Sequence, residues 1–178
     1  MGWLDESWAP DEAARHLLGA TLRTDLDGVA AVRLTEVEAY GGADDPASHA
    51  HRRRTERNAS MFGGCGTLYT YRSYGIHVCA NVVVGPPGTP GAVLVRAGEI
   101  VEGLDLVRRR RGRDDHLADG PGKLCQALGI TLAHDGLDLA DPDGPVRLVP
   151  GPPVETVDAT PRVGITKAVD RPWRFVSR

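Results

Sequence analysis

The chain has 178 residues, of which 41% are hydrophobic and 25% charged, enough for one buried core and too ordinary for disorder or a fibrous repeat. No run approaches the roughly 20 apolar residues that cross a bilayer, and the acidic start from Met1 to Pro10 has no basic stretch ahead of an apolar one, so a cytoplasmic protein without a membrane partner is expected. A net charge of −3 speaks against tight nonspecific binding to a polyanion, yet nine arginines gather as Arg52–Arg54 with Arg57 and Arg108–Arg111 with Arg113, which leaves room for one basic face.

In chain order, Pro10 and Gly19 bracket a short helix over Asp11–Leu18, with Ala13, Ala14, Leu17 and Leu18 as its apolar face. Residues Gly28 to Tyr40 read as extended, and strand parity puts Glu36, Glu38 and Tyr40 on one face. Residues 41 to 66 have no apolar period and mark a long loop, the kind that tends to carry function. Three β-like runs follow, Thr67–Tyr71, His77–Val84 and Ala92–Ala97, the last two joined by the Pro/Gly cluster Gly85–Gly91 as a hairpin. Glu102–Arg111 and Lys123–Leu128 read as helices, the second behind Gly120-Pro121-Gly122. Cations at the end of the first of these would complement its dipole, an alternative to a DNA-facing role. Short strands at Val146–Val149, Arg162–Thr166 and Trp173–Val176 close the fold. The expectation is an α+β protein, one domain over residues 1–178, built on a curved, mostly antiparallel sheet (a partial barrel) flanked by short helices. Cys65, Cys79 and Cys125 are an odd set without a C-x-x-C pair, against both a disulfide framework and a zinc ribbon.

Four features carry potential chemistry. Glu38, at a partly buried strand end beside Tyr40, suits a general base, with Glu36 as its competitor; the plainer reading is a solvated edge glutamate. Arg96 interrupts the apolar run Ala92–Val95, where a guanidinium needs a carboxylate such as Glu38 or Glu99, or a phosphate. Tyr69, Tyr71 and Tyr74 form an aromatic ladder whose last ring, before Gly75, could stand outward as a wedge; as ordinary core and edge tyrosines they would need no function. Asn81 in an apolar strand either satisfies the backbone or reads a base edge.

Longer motifs add a resemblance. Glu36-Val37-Glu38-Ala39-Tyr40 with His49, Arg57-Asn58 through Met61-Phe62-Gly63, Gly66–Tyr71 with Ser73-Tyr74-Gly75, Cys79-Ala80-Asn81-Val82, Ala92–Ala97, Gly120–Leu128 and Arg162-Val163-Gly164-Ile165 together resemble the alkyladenine (3-methyladenine) DNA glycosylase family over almost the whole chain. The resemblance implies a monofunctional enzyme of base excision repair. It would flip an alkylated or deaminated purine out of double-stranded DNA and hydrolyse its N-glycosidic bond, as a monomer on the nucleoid, with no metal or cofactor and no strand-cleaving step. By similarity, Glu38 would activate water with Arg96 holding that water. Tyr40 and His49 would face one side of the flipped base and Tyr71 the other, with Asn81 excluding normal guanine. Tyr74, beside Ile76, would fill the gap in the duplex, and Arg52, Arg57 and Lys123 would touch phosphates. Arg53, Glu56, Cys65 and Ile76 depart from the family's usual residues and bear on which lesion is preferred. Two rival readings are a metal-dependent hydrolase using Glu36, Glu38, Asp44, Asp45, His49 and His51, and a nucleic-acid-binding module that does not cut.

Overall fold

Pro10 opens helix α1 (Pro10–Leu17), since its ring already holds a helical φ and the first helical N–H needs no partner. Ala13, Ala14 and Leu17 are buried on one face, and Gly19, at φ +82°, turns the chain into the sheet. The structure, a computed structural model, describes residues 3–178, so the first two residues of the acidic start lie outside it.

Strands β1 (Thr21–Asp25) and β2 (Val29–Tyr40) form a hairpin around Asp27-Gly28, both at positive φ. Asp-Gly between alternating runs is a strong hairpin signal; the sequence reading began at Gly28 and missed β1. Next come β3 (Leu68–Ser73), β4 (His77–Val83), β5 (Ala92–Glu102), helices α2 (Leu104–Arg111) and α3 (Pro121–Leu128), then β6 (Val146–Val149), β7 (Val157–Thr160) and β8 (Arg174–Ser177). A 3₁₀ helix, Glu56–Phe62, sits inside the long loop, capped by Thr55.

The strands make one curled antiparallel half-barrel in the order β3-β4-β5-β2-β1-β6, with β8 also on β2 and β7 on β8. Strand β2 is the spine. Along one edge it pairs with β5; along the other, Val29–Arg33 pairs with β1 and Glu36–Glu38 with β8. The main core packs α1 and α3 against the sheet through Leu17, Leu22, Leu34, Leu124, Leu128 and Phe175.

Between β2 and β5 the register slips on either side of Glu36. Such bulges bend a strand and re-aim side chains. Gly98 faces Leu34 there, and a Cβ at that position would collide with the Arg33 carbonyl and the Val32 side chain. Backbone cannot yield as a side-chain end can, so Gly98→Ala is expected to destabilise the protein by about 3 kcal/mol. Urea unfolding tests this, and a change below about 1 kcal/mol would show that the bulge is soft.

Two expectations need correcting. Strand β5 does not stop at Ala97, because Gly98 still pairs with Leu34 beside the bulge and the strand runs on to Glu102. Arg162–Thr166 is not a strand: Gly164 is at φ +73°, and the Val163 amide donates to a side chain. The short strand β7, which no sequence pattern marks, pairs with β8.

Candidate active site

The bulged end of β2 and the middle of β5 set two carboxylates against one guanidinium. Arg96 Nε donates to Glu36 Oε1 at 2.9 Å, and Arg96 Nη1 lies 3.5 Å from Glu38 Oε2. Arg174, from β8, donates to Glu36 Oε1 at 2.7 Å. Burial opposes ionisation of Glu36, but the hydrogen bonds from Arg174 and Arg96 outweigh it and hold its carboxyl below the ordinary range. Glu99, considered as a partner for Arg96, pairs with Arg33 instead.

Glu38 is held differently. Its residue is 0% exposed, yet each oxygen has its own donor: the Tyr40 hydroxyl reaches Oε2 at 2.8 Å and the Val163 amide reaches Oε1 at 2.7 Å. Tyr40, Val163 and Arg96 all line a cavity of about 780 Å³, so the carboxylate stands directly behind its wall. Burial, with the Glu38 charge second, pushes the Tyr40 phenol well above its usual value, which keeps the donor protonated.

The other cavity walls come from distant parts of the chain. His49 and Tyr71 meet edge to face with ring centroids 4.5 Å apart, so the two rings touch and leave no room for a base between them in this arrangement. His49 Nδ1 lies 3.0 Å from the Tyr69 hydroxyl. Desolvation, and then the Arg57 charge, lowers the His49 pKa and favours a neutral ring; burial pushes the Tyr69 phenol up to about 12. Asn81 spends its amide nitrogen on the Tyr69 carbonyl at 3.1 Å and also faces the cavity. Met61 and Ala92 also line the cavity, as do Gly120, Pro121–Lys123 of α3 and Val163–Lys167.

At the β3–β4 turn, Tyr74 is 88% exposed and Ile76 72%. Tyr74 sits at φ +49°, a strained conformation for a tyrosine, followed by Gly75 at φ +69°. The turn is closed by Ile76 N donating to Ser73 O at 3.1 Å. The strained turn thus presents an aromatic ring to solvent beside the cavity.

The arginine clusters differ. Arg52 is exposed, and Arg57 lines the cavity while donating to Arg72 O at 2.9 Å. In the second cluster Arg108 pairs with Asp105 and Asp114, Arg110 with Asp27, Arg113 with Asp115, and Arg111 bonds Gln126. Three of the cluster's five arginines thus have a carboxylate beside them, which weakens this part of the basic face read from sequence. Lys123 reaches the cavity but binds Asp119 at 2.7 Å.

One element escaped sequence reasoning. Arg162 and Asp45 form a bidentate ion pair with both side chains fully buried, Nη1 to Oδ2 at 2.7 Å and Nη2 to Oδ1 at 2.9 Å. Asp45 had figured only as a possible metal ligand. Among the described residues no three His, Cys, Asp or Glu side chains converge as metal ligands.

A profile of the family described as Methylpurine-DNA glycosylase (MPG) matches residues 5–178. The chain belongs to the methylpurine-DNA glycosylase family. It is 55% identical over 176 residues to a Nocardia farcinica protein provisionally named a 3-methyladenine DNA glycosylase, covering 93% of this chain and 82% of that one. Relatives with the same provisional name from Mycolicibacterium paratuberculosis and Mycolicibacterium fortuitum are 54% and 56% identical, covering 93% and 92% of this chain and 83% and 86% of theirs. As a DNA glycosylase the protein is a hydrolase of N-glycosyl bonds. No described helix is long and apolar enough to cross a membrane.

Proposed function

We propose that this methylpurine-DNA glycosylase excises alkylated purines, 3-methyladenine among them, by extruding the nucleotide into the cavity beside Glu38. A water activated by that carboxylate then attacks the anomeric carbon. The supporting observation is the seat of Glu38: a buried carboxylate whose three partners, Tyr40, Val163 and Arg96, all line a cavity of about 780 Å³. Cleaving an N-glycosidic bond builds positive charge on the sugar, which a nearby carboxylate stabilises while it takes a proton from the attacking water. Water must reach Glu38 by displacing the Tyr40 hydroxyl or by entering between it and Arg96. Arg96, shared between Glu36 and Glu38, keeps both oriented.

The purine enters between Tyr40 on one side and the touching His49–Tyr71 pair on the other, a slot that suits electron-poor alkylated bases. Asn81, in the cavity wall, excludes an exocyclic 2-amino group. Arg52, Arg57 and Lys123 meet phosphates around the mouth, Lys123 sharing itself with Asp119. The enzyme acts as a monomer on chromosomal DNA. With water as the nucleophile, purified protein leaves the strand intact, and a chelator leaves base release unchanged; nicking without alkali, or loss of activity in chelator, would favour a lyase or the metal-dependent rival.

Tyr74, with Ile76 beside it, takes the place of the extruded nucleotide in the stack. Tyr74→Ala is expected to slow single-turnover base release from duplex DNA about tenfold, the equivalent of roughly 1.4 kcal/mol, and to leave release from single-stranded DNA nearly unchanged. Equal losses on both substrates would remove the wedge role.

A further inference from the structure

We infer that Arg162, locked by Asp45, is a positioning residue for the catalytic base, an inference that rests on the role proposed above for Glu38. One guanidinium is tied to two of the three groups that frame that carboxylate, Tyr40 and Val163; the third, Arg96, is held by Glu36. Arg162 Nη1 donates to Ala39 O at 2.9 Å, and Ala39 is the residue between Glu38 and Tyr40. Its guanidinium carbon lies 4.7 Å from the Tyr40 ring centroid and 5.3 Å from that of Trp173, so the plane supports the ring whose hydroxyl caps Glu38 Oε2. The next residue is Val163, whose amide donates to Glu38 Oε1. Asp45 completes the clamp: besides Arg162 it accepts from Gly41 N at 2.9 Å and Ala47 N at 3.2 Å, tying the start of the long loop to the same point.

Segment 162–166 belongs to no strand, so no ladder fixes where the Val163 amide points. Gly164, at φ +73°, adds freedom directly after it. The Arg162 contacts supply the register that a ladder would give elsewhere. Stability alone is a weak reason for the arrangement. A buried ion pair is often matched or bettered by apolar residues of similar volume, and here Arg162 Nε has no hydrogen-bond partner among the described residues. What an apolar pair cannot supply is a rigid planar fork that fixes a carbonyl, a ring and an adjacent amide at once.

Two variants test the inference. Arg162→Lys keeps the charge and loses the fork. The double variant Asp45→Asn with Arg162→Gln removes both charges and leaves amide groups able to hydrogen-bond. For each, three quantities are measured: folding by near-ultraviolet circular dichroism and thermal unfolding, the dissociation constant for duplex DNA carrying an abasic-site analogue, and the single-turnover rate of 3-methyladenine release. The expected result is a folded protein that binds the abasic duplex within about threefold of the unsubstituted enzyme and releases base at least about tenfold more slowly. Positioning of the base is overturned if a folded variant stays within about tenfold in rate, or if rate and abasic-duplex binding fall by the same factor. Should the double variant fail to fold, Arg162→Lys decides by the same criteria; failure of both to fold would make the pair structural and overturn the inference. Glu38→Gln, run in parallel, separates the two levels. If it still releases base, the reading of Glu38 fails; if it is inactive while the Arg162 variants remain fast, only the positioning role fails.

Discussion

Glu38→Gln is expected to slow single-turnover base release by about 10³-fold or more, while binding to duplex DNA carrying an abasic-site analogue changes by no more than about threefold. The substitution preserves shape. Glutamine can still accept from the Val163 amide, and its NH₂ group can donate to the Tyr40 oxygen, so the site stays filled and both neighbours keep a partner. What disappears is a group that can take a proton from water and face a cationic sugar with negative charge. Glu36 lies on the same side of the strand and shares Arg96, so Glu36→Gln is the necessary comparison. Its carboxylate is engaged by Arg96 and Arg174, and its loss acts only through the freedom it gives Arg96; a fall of about tenfold is expected. If Glu36→Gln proved the more damaging change, the base would have been assigned to the wrong carboxylate.

The second large effect is on stability and its pH dependence. Arg162→Met alone leaves Asp45 buried without its counter-charge, at an expected cost of about 3–5 kcal/mol near neutral pH. In the unsubstituted protein burial raises the Asp45 pKa, but the Arg162 hydrogen bond and the amide of Gly41 outweigh this and leave the carboxyl below its usual value. A depressed folded-state pKa means that the pair's contribution is present above the unfolded carboxylate value, about 3.9, and is lost as pH falls through the lower folded one. In Arg162→Met only burial and the amides remain. Burial, the largest influence on Asp45, is then opposed by the amides alone, so its pKa is expected above the unfolded value, and that carboxyl destabilises the variant increasingly as pH climbs from about 3.9 to the raised folded value, above which the cost is constant. The gap between the two proteins in urea unfolding should therefore narrow as pH is lowered from 7 towards 4. A gap that stays constant over that range would mean that Asp45 does not carry the cost.

Much of this molecule is written in short stretches of sequence. Alternation along Leu34–Tyr40 put Glu36 and Glu38 on the face where both meet Arg96. Pro10 placed α1, and Tyr74-Gly75 marked a turn that carries an exposed ring. A chain of such motifs at consistent spacing was enough to identify the family, because each depends on residues close in sequence whose local conformation is nearly decided by sterics and pattern.

The contacts that frame the site are of another kind. Asp45 meets Arg162 across 117 residues, Glu36 meets Arg174 across 138, and Glu38 meets the Val163 amide across 125. No period or propensity pairs residues that far apart. Arg162, in a segment that reads as a strand, gave no sign that it would turn inward to an ion pair, and Arg110 gave none that it would reach Asp27. Local sequence was enough for the family and for most of the strands and helices. The partners of Glu36, Glu38 and Asp45 emerge from the folded chain alone, because a buried charge takes whichever counter-charge or dipole the fold brings within hydrogen-bonding distance.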